Sequence, residues 1–186
     1  MFGHQNEPVT LIRDVRAVVI PVGESITLRE GTEGFITQAL GGSFTVYVEG
    51  NLFRISGTDA DALGKEPDAP PSVPDNPTDA DIEAVVWEQL STVYDPEIPV
   101  DIVNLGLVYR CEIEPLGNGE RLIAIDMTLT APGCGMGPFI VSDAEEKVSL
   151  IPTVSGVKIE LVFDPPWNAG MMSEEARLQT GMMKPR

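Results

Sequence analysis

Between Gly57 and Pro77 the chain carries Pro67, Pro70, Pro71, Pro74 and Pro77 among Asp59, Asp61, Glu66, Asp68 and Asp75, with little to bury. Proline fixes φ and removes a backbone donor, so neither a regular helix nor a central strand runs through such a stretch. A segment of this composition is an extended linker. It divides the 186 residues into a unit over 1–56, a linker over 57–77 and a unit over 78–186. Each unit must find its own core, and the two carry different patterns.

The first unit reads as β. Val15–Ile20 is β-branched and ends at Pro21 and Gly23, and short extended segments follow around Ser25–Leu28 and Phe35–Gln38. Ser43–Val48 and Leu52–Ile55 flank Glu49-Gly50-Asn51, a hairpin signal. The pattern predicts a small all-β unit, a barrel or a curled sheet. Gly41-Gly42 reads as a turn, since neither a P-loop nor the Rossmann glycine spacing surrounds it.

The second unit opens at Thr78, an N-cap with Asp81 at the third position of a capping box. Ile82, Val85, Val86, Leu90 and Val93 recur at helical spacing until Pro96 and Pro99 stop the helix. Strands over Leu107–Ile113 and Leu122–Leu129 follow, joined at Gly117-Asn118-Gly119. Pro138 suits the start of a helix with a buried stripe of Ile140, Val141, Ala144 and Val148. Val157–Phe163 is a third strand, and Ser173 caps a last short helix to about Gln179. The order α-β-β-α-β-α predicts an α+β class: a small three-stranded sheet with helices packed on it, preceded by the all-β unit.

Twenty-nine acidic residues against twelve basic ones give a net charge of −17. With no basic cluster, such a chain is not expected to bind nucleic acid or an anionic membrane. No apolar run reaches the length of a membrane span, and the N-terminus lacks the basic-then-apolar order of a secretory signal. Two cysteines in unlike settings do not make a disulfide framework, so a cytoplasmic location is expected.

Chemistry concentrates in three loops of the second unit: Asp95-Pro96-Glu97 with Asp101, Thr130–Pro138 around Cys134, and Asp164–Asn168. Gly133, Gly135 and Gly137 let the backbone of the Cys134 loop approach a ligand, and helix N–H groups nearby favour a thiolate. Cys111 shares a strand face with Leu107, Tyr109 and Ile113 and reads as core. One thiolate with one or two carboxylates binds iron or zinc incompletely, and this unit has no histidine, so further ligands would come from a second copy or a partner. The blander readings are that Asp95 anchors a turn, that Glu97 and Asp101 are solvated, that Trp167 packs, and that Met171-Met172 and Met182-Met183 fill the core. His4, alone near the N-terminus, is assigned no role. As the sole histidine it is far from Cys134 in sequence, so a cysteine–histidine hydrolase is not expected, and a metal ligand, a one-cysteine redox enzyme or sulfur acceptor, and an adaptor loop stay as the readings of Cys134.

Asp95–Val100, Asn104–Tyr109, Met127–Cys134, and Asp164–Trp167 with Met171–Arg177 resemble, in order, the motifs of the iron–sulfur cluster assembly accessory family. That family includes PaaD-like proteins and the small subunit of the cytosolic iron–sulfur targeting complex. The β extension, with Ile36–Val46, is similar to that of the SufT type. The resemblance implies a non-enzymatic role in maturing iron–sulfur proteins, with scaffold or carrier proteins and client apoproteins as partners. It maps the cysteine of an Ala-Pro-Gly-Cys motif onto Cys134, as cluster and metal ligand, and an Asp-Pro-Glu motif onto Asp95 and Glu97. Gly135-Met136 stands where many relatives have Pro-Met. One such thiol per chain implies a transient iron–sulfur cluster, held across a homodimer or passed during docking.

Overall fold

A computed structural model describes residues 6–95, 98–133 and 135–182. The chain forms two compact units, Met1–Pro70 and Pro71–Arg186.

The first unit is a six-stranded antiparallel sheet of β1 (Glu7–Thr10), β2 (Val15–Ile20), β3 (Ser25–Leu28), β4 (Glu33–Leu40), β5 (Ser43–Val48) and β6 (Asn51–Ser56), in the order β1-β4-β5-β6-β2-β3. Both tight hairpins turn through positive φ: Gly41 and Gly42 at 62° and 69°, Glu49 and Gly50 at 47° and 90°. Turns of that hand match the strands' own twist, which is why glycine recurs there. Register places Ile36, Val46 and Phe53 side by side on successive strands, and they join Val15, Ala17, Leu28 and Ile55 in the core.

Two features depart from expectation. β1 pairs with β4 at the sheet edge, where the missing N–H of Pro8 disturbs no central ladder. The expected linker over 57–77 begins later, because Gly57–Leu63 forms short 3₁₀ turns on either side of a kink at Asp59 and buries Ala62 and Leu63 in the first core. Asp59 and Asp61, placed by the sequence in the linker, both grip the Arg13 guanidinium at 2.9 and 2.6 Å. Asp68 then folds back, its N–H donating to the Gly57 carbonyl at 2.8 Å.

The second unit is α+β, as the pattern predicts. Helix α1 (Asp79–Leu90) starts at a capping box in which the Asp81 N–H donates to Thr78 Oγ1 and the Thr78 N–H donates to Asp81 Oδ2. The Thr78 hydroxyl and N–H together hold the Asp81 carboxyl below its usual pKa. Strands β7 (Val108–Pro115), β8 (Arg121–Met127) and β9 (Val154–Leu161) form a sheet in that order, β7/β8 antiparallel and β8/β9 parallel. Helix α2 (Gly137–Ser149) packs on β9 and α1, and α1 packs on β7. Between them Ile123, Ile125 and Met127 are excluded from solvent. Val141 is only half-buried, and Phe139, Asp143 and Lys147 are covered instead. Helix α3 (Glu174–Gln179) follows Ser173, whose hydroxyl accepts the Ala176 N–H at 3.1 Å.

At the start of β8, Arg121 is 9% exposed. Its guanidinium donates to Asp79 Oδ1 (2.7 Å), Thr153 Oγ1 (3.0 Å) and the carbonyls of Pro77 (2.7 Å) and Gly119 (3.4 Å). A buried cation is tolerated when its donors are used in this way. It fastens the first turn of α1 and the end of the linker to the sheet.

Candidate functional site

Strand direction gathers the chemistry. Because β7 runs against β8 and β9 runs with it, the start of β7 and the ends of β8 and β9 share one edge of the sheet. All three loops singled out from the sequence arise there. The Thr128 N–H donates to the Leu107 carbonyl at 2.8 Å, and the Val162 N–H donates to the Met127 carbonyl at 2.8 Å, fixing the roots of the loops side by side.

In the first loop Asp95 is 5% exposed, and its Oδ1 accepts the Ile98 N–H at 3.0 Å. Its own N–H donates to the Val100 carbonyl at 3.2 Å. The turn-anchor reading of Asp95 therefore has direct geometric support. Asp101, expected to be solvated, is 8% exposed. Its Oδ1 accepts the N–H groups of Val103 (3.0 Å) and Asn104 (2.9 Å), and its Oδ2 accepts Asn104 Nδ2 (2.7 Å). The local competition of Asp side chains for backbone donors explains the difference.

The third loop is pinned to the first. Trp167 Nε1 donates to the Leu105 carbonyl at 2.7 Å, and the Ser173 N–H donates to the Asn104 carbonyl at 2.8 Å. The Tyr109 hydroxyl donates to the Pro165 carbonyl at 2.7 Å and lies 3.6 Å from Met171 Sδ. Gly106, at φ 74°, faces the Met171 backbone so closely that a Cβ there would overlap it. Trp167 thus packs and bonds inward, and Met172 is buried at 3% exposure. Sequence reasoning did not couple these two loops. The only cue was the pair of aromatics, Tyr109 and Trp167, each with a polar tip that seeks a partner.

The middle loop leaves β8 through Thr128, whose fully buried Oγ1 has no hydrogen-bond partner among the described residues. Ala131, Pro132, Gly133 and Gly135 are exposed, and a Cβ on either glycine would meet nothing within 4 Å. Helix α2 follows with Met136 as its N-cap and no side-chain cap bond, so its first N–H groups face the loop unclaimed by a capping side chain. Cys134 itself, Glu97 with Pro96, His4 and Met183 lie outside the described residues.

Cys111 is half-buried on β7. Burial, and then the charge of Glu83 on α1, push its thiol up from 9.0 to about 11. Such a thiol is a poor nucleophile at neutral pH. Iodoacetamide at pH 7.5 should leave Cys111 unmodified over times that label Cys134 completely, as read by peptide mass mapping. Rapid labelling of Cys111 in the folded chain would contradict its burial.

Among the described residues no group of three or more His, Cys, Asp and Glu is placed to hold a metal ion. No helix among them is long and apolar enough to cross a membrane.

A family model described as an iron–sulfur cluster assembly protein matches residues 83–161. An Fe-S protein maturation auxiliary factor of Porphyromonas gingivalis is 45% identical over 101 residues, covering 54% of this chain and 92% of that protein. The Fe-S protein maturation auxiliary factor SufT of Staphylococcus aureus is 40% identical, covering 48% of this chain and 98% of that protein. A crystal structure of a DUF59 domain from Bacillus anthracis is similar at 38% identity, with a TM-score of 0.49, over 55% of this chain and 93% of that one.

Proposed function

The chain belongs to the iron–sulfur cluster assembly protein family, and on that premise we propose that it is a non-catalytic accessory factor that hands iron–sulfur clusters or iron to client proteins. Cys134 is the labile ligand in this reading. Asp95 shapes the loop that carries Glu97, and Glu97 assists at the site. The observation that supports it most is the convergence of three loops on one sheet edge, with the Cys134 loop exposed on both sides of the thiol and followed by an uncapped helix start. Helix N–H groups stabilise a thiolate, and a thiolate is the form that binds iron.

The donor count decides between storage and transfer. Iron–sulfur clusters take thiolates as their usual ligands, commonly four. This loop supplies one cysteine, so the rest come from a second copy of the chain, a client or a small thiol, and the cluster is cargo. Partners are then scaffold or carrier proteins on one side and apoproteins on the other.

Anaerobic reconstitution with iron and sulfide tests this, comparing the parent with Cys134→Ala and Cys111→Ala. Visible absorption with iron and sulfide counts should show a chromophore in the parent and in Cys111→Ala, falling to background in Cys134→Ala. The melting temperature of Cys134→Ala should stay close to the parent's, as for exposed loop changes in general. No chromophore in any of the three would favour an adaptor that binds partners without cargo.

A further inference from the structure

Register in the first unit aligns Pro8, Phe35, Tyr47, Leu52 and Ile20 across five neighbouring strands, β1-β4-β5-β6-β2. Residues directly opposed in antiparallel pairs point to the same face, so these five form one strip on the face away from Ile36, Val46 and Phe53. At the usual strand spacing the strip is about 19 Å long. Phe35, Tyr47 and Leu52 are 44%, 43% and 37% exposed. An aromatic cross-strand pair also steadies a sheet, but three exposed large side chains on neighbouring strands are more than that role requires.

Beside Phe35 and Tyr47 the charge is negative. Pro8, Thr10, Phe35 and Tyr47 line a shallow depression of about 510 Å³ together with Glu33 and Glu49, and among the described residues no Lys or Arg lines it. A second copy would press these carboxylates, and a net charge of −17, against their equals. Glu33 and Glu49 flank Phe35 and Tyr47 on one side of the strip, so the complementary occupant is apolar along the strip and basic on that flank.

We propose that this strip docks an extended basic segment of another protein, its apolar side chains on Phe35, Tyr47 and Leu52 and its Lys or Arg residues at Glu33 and Glu49. About six residues in extended form span the strip. The surface lies outside residues 83–161, so the inference goes beyond the cargo reading and does not rest on it.

The test is fluorescence anisotropy of the full chain with a labelled synthetic peptide, a Val-Thr-Phe-Thr-Val centre with two lysines at each end. The same centre flanked by glutamates is the control. Binding of the lysine-flanked probe alone is expected. It should weaken at least tenfold in Phe35→Thr/Tyr47→Thr and in Glu33→Gln/Glu49→Gln, the second with a flatter salt dependence. Glu114→Gln/Glu145→Gln, in the other unit, should leave it unchanged. Leu52→Lys retains both aromatics and should give the same loss, and circular dichroism checks that each variant folds. Equal affinity in the parent and the Phe35/Tyr47 variant would reduce the effect to bulk charge and overturn the proposal. So would no measurable binding of the lysine-flanked probe, or a dimer in sedimentation that these substitutions dissolve.

Discussion

Lys147→Met should destabilise the second unit by about 3–5 kcal/mol, the usual cost of leaving a buried ion pair without one partner. Lys147 and Asp143 lie one turn apart on α2, 7% and 4% exposed, with Nζ 3.4 Å from Asp143 Oδ2. The ammonium also donates to the Thr92 carbonyl at 2.7 Å, just beyond the end of α1. Removing it takes the cation from beside the buried Asp143 carboxylate and from a carbonyl just past a helix C-terminus, where the dipole favours one. Both tryptophans, Trp87 and Trp167, belong to the second unit, so their fluorescence follows its unfolding alone. A loss of this size lowers the melting temperature by more than about 10 °C. Lys147→Met with Asp143→Leu should recover most of it, because an apolar pair has no charge to solvate. A loss below about 1 kcal/mol in the single variant would mean that water reaches the pair.

Gly106→Ala should cost roughly 2–4 kcal/mol and part the first loop from the third. Two effects add. The left-handed backbone at φ 74° costs a side chain about 1–2 kcal/mol. The new Cβ would also overlap the Met171 carbonyl, which is backbone and has little room to yield. Gly133→Ala separates the two, since its φ is 76° but nothing lies within 4 Å of its Cβ position. It should show the backbone cost alone. Movement of Met171 also strains the Trp167–Leu105 bond, so the tryptophan emission of Gly106→Ala should shift to the red while that of Gly133→Ala does not. Equal losses in both variants would remove the close approach from the account.

The parts of the fold that were legible are those set by neighbours in sequence. Thr78 and Asp81 announce α1 because a capping box needs only residues three apart. The glycines of the hairpin turns carry their own backbone demand. The prolines around Asp95 mark it as a candidate site residue or a turn anchor, and its bond to the Ile98 N–H gives the anchor. What was illegible depends on distant partners. Asp59 and Asp61 look like linker charges until Arg13 meets them, and Asp143 and Lys147 look like a solvated helix face until α1 covers them. β1 was hidden by Pro8, which argues against a strand everywhere except at an edge. Gly106 reads as an ordinary turn residue, because its reason, the Met171 backbone, lies 65 positions further along the chain (171 − 106).

Arg121 and Met127 are the two ends of β8, about 20 Å apart at the usual rise per residue. The guanidinium clamp holds one end, and three loops leave the other, each from a different strand. Rewriting the exposed part of the middle loop therefore leaves every strand pairing and the clamp untouched. Such a domain is free to vary in what it grips from one descendant to the next while keeping the same frame, so selection can act on the two ends of one small sheet almost as on separate traits.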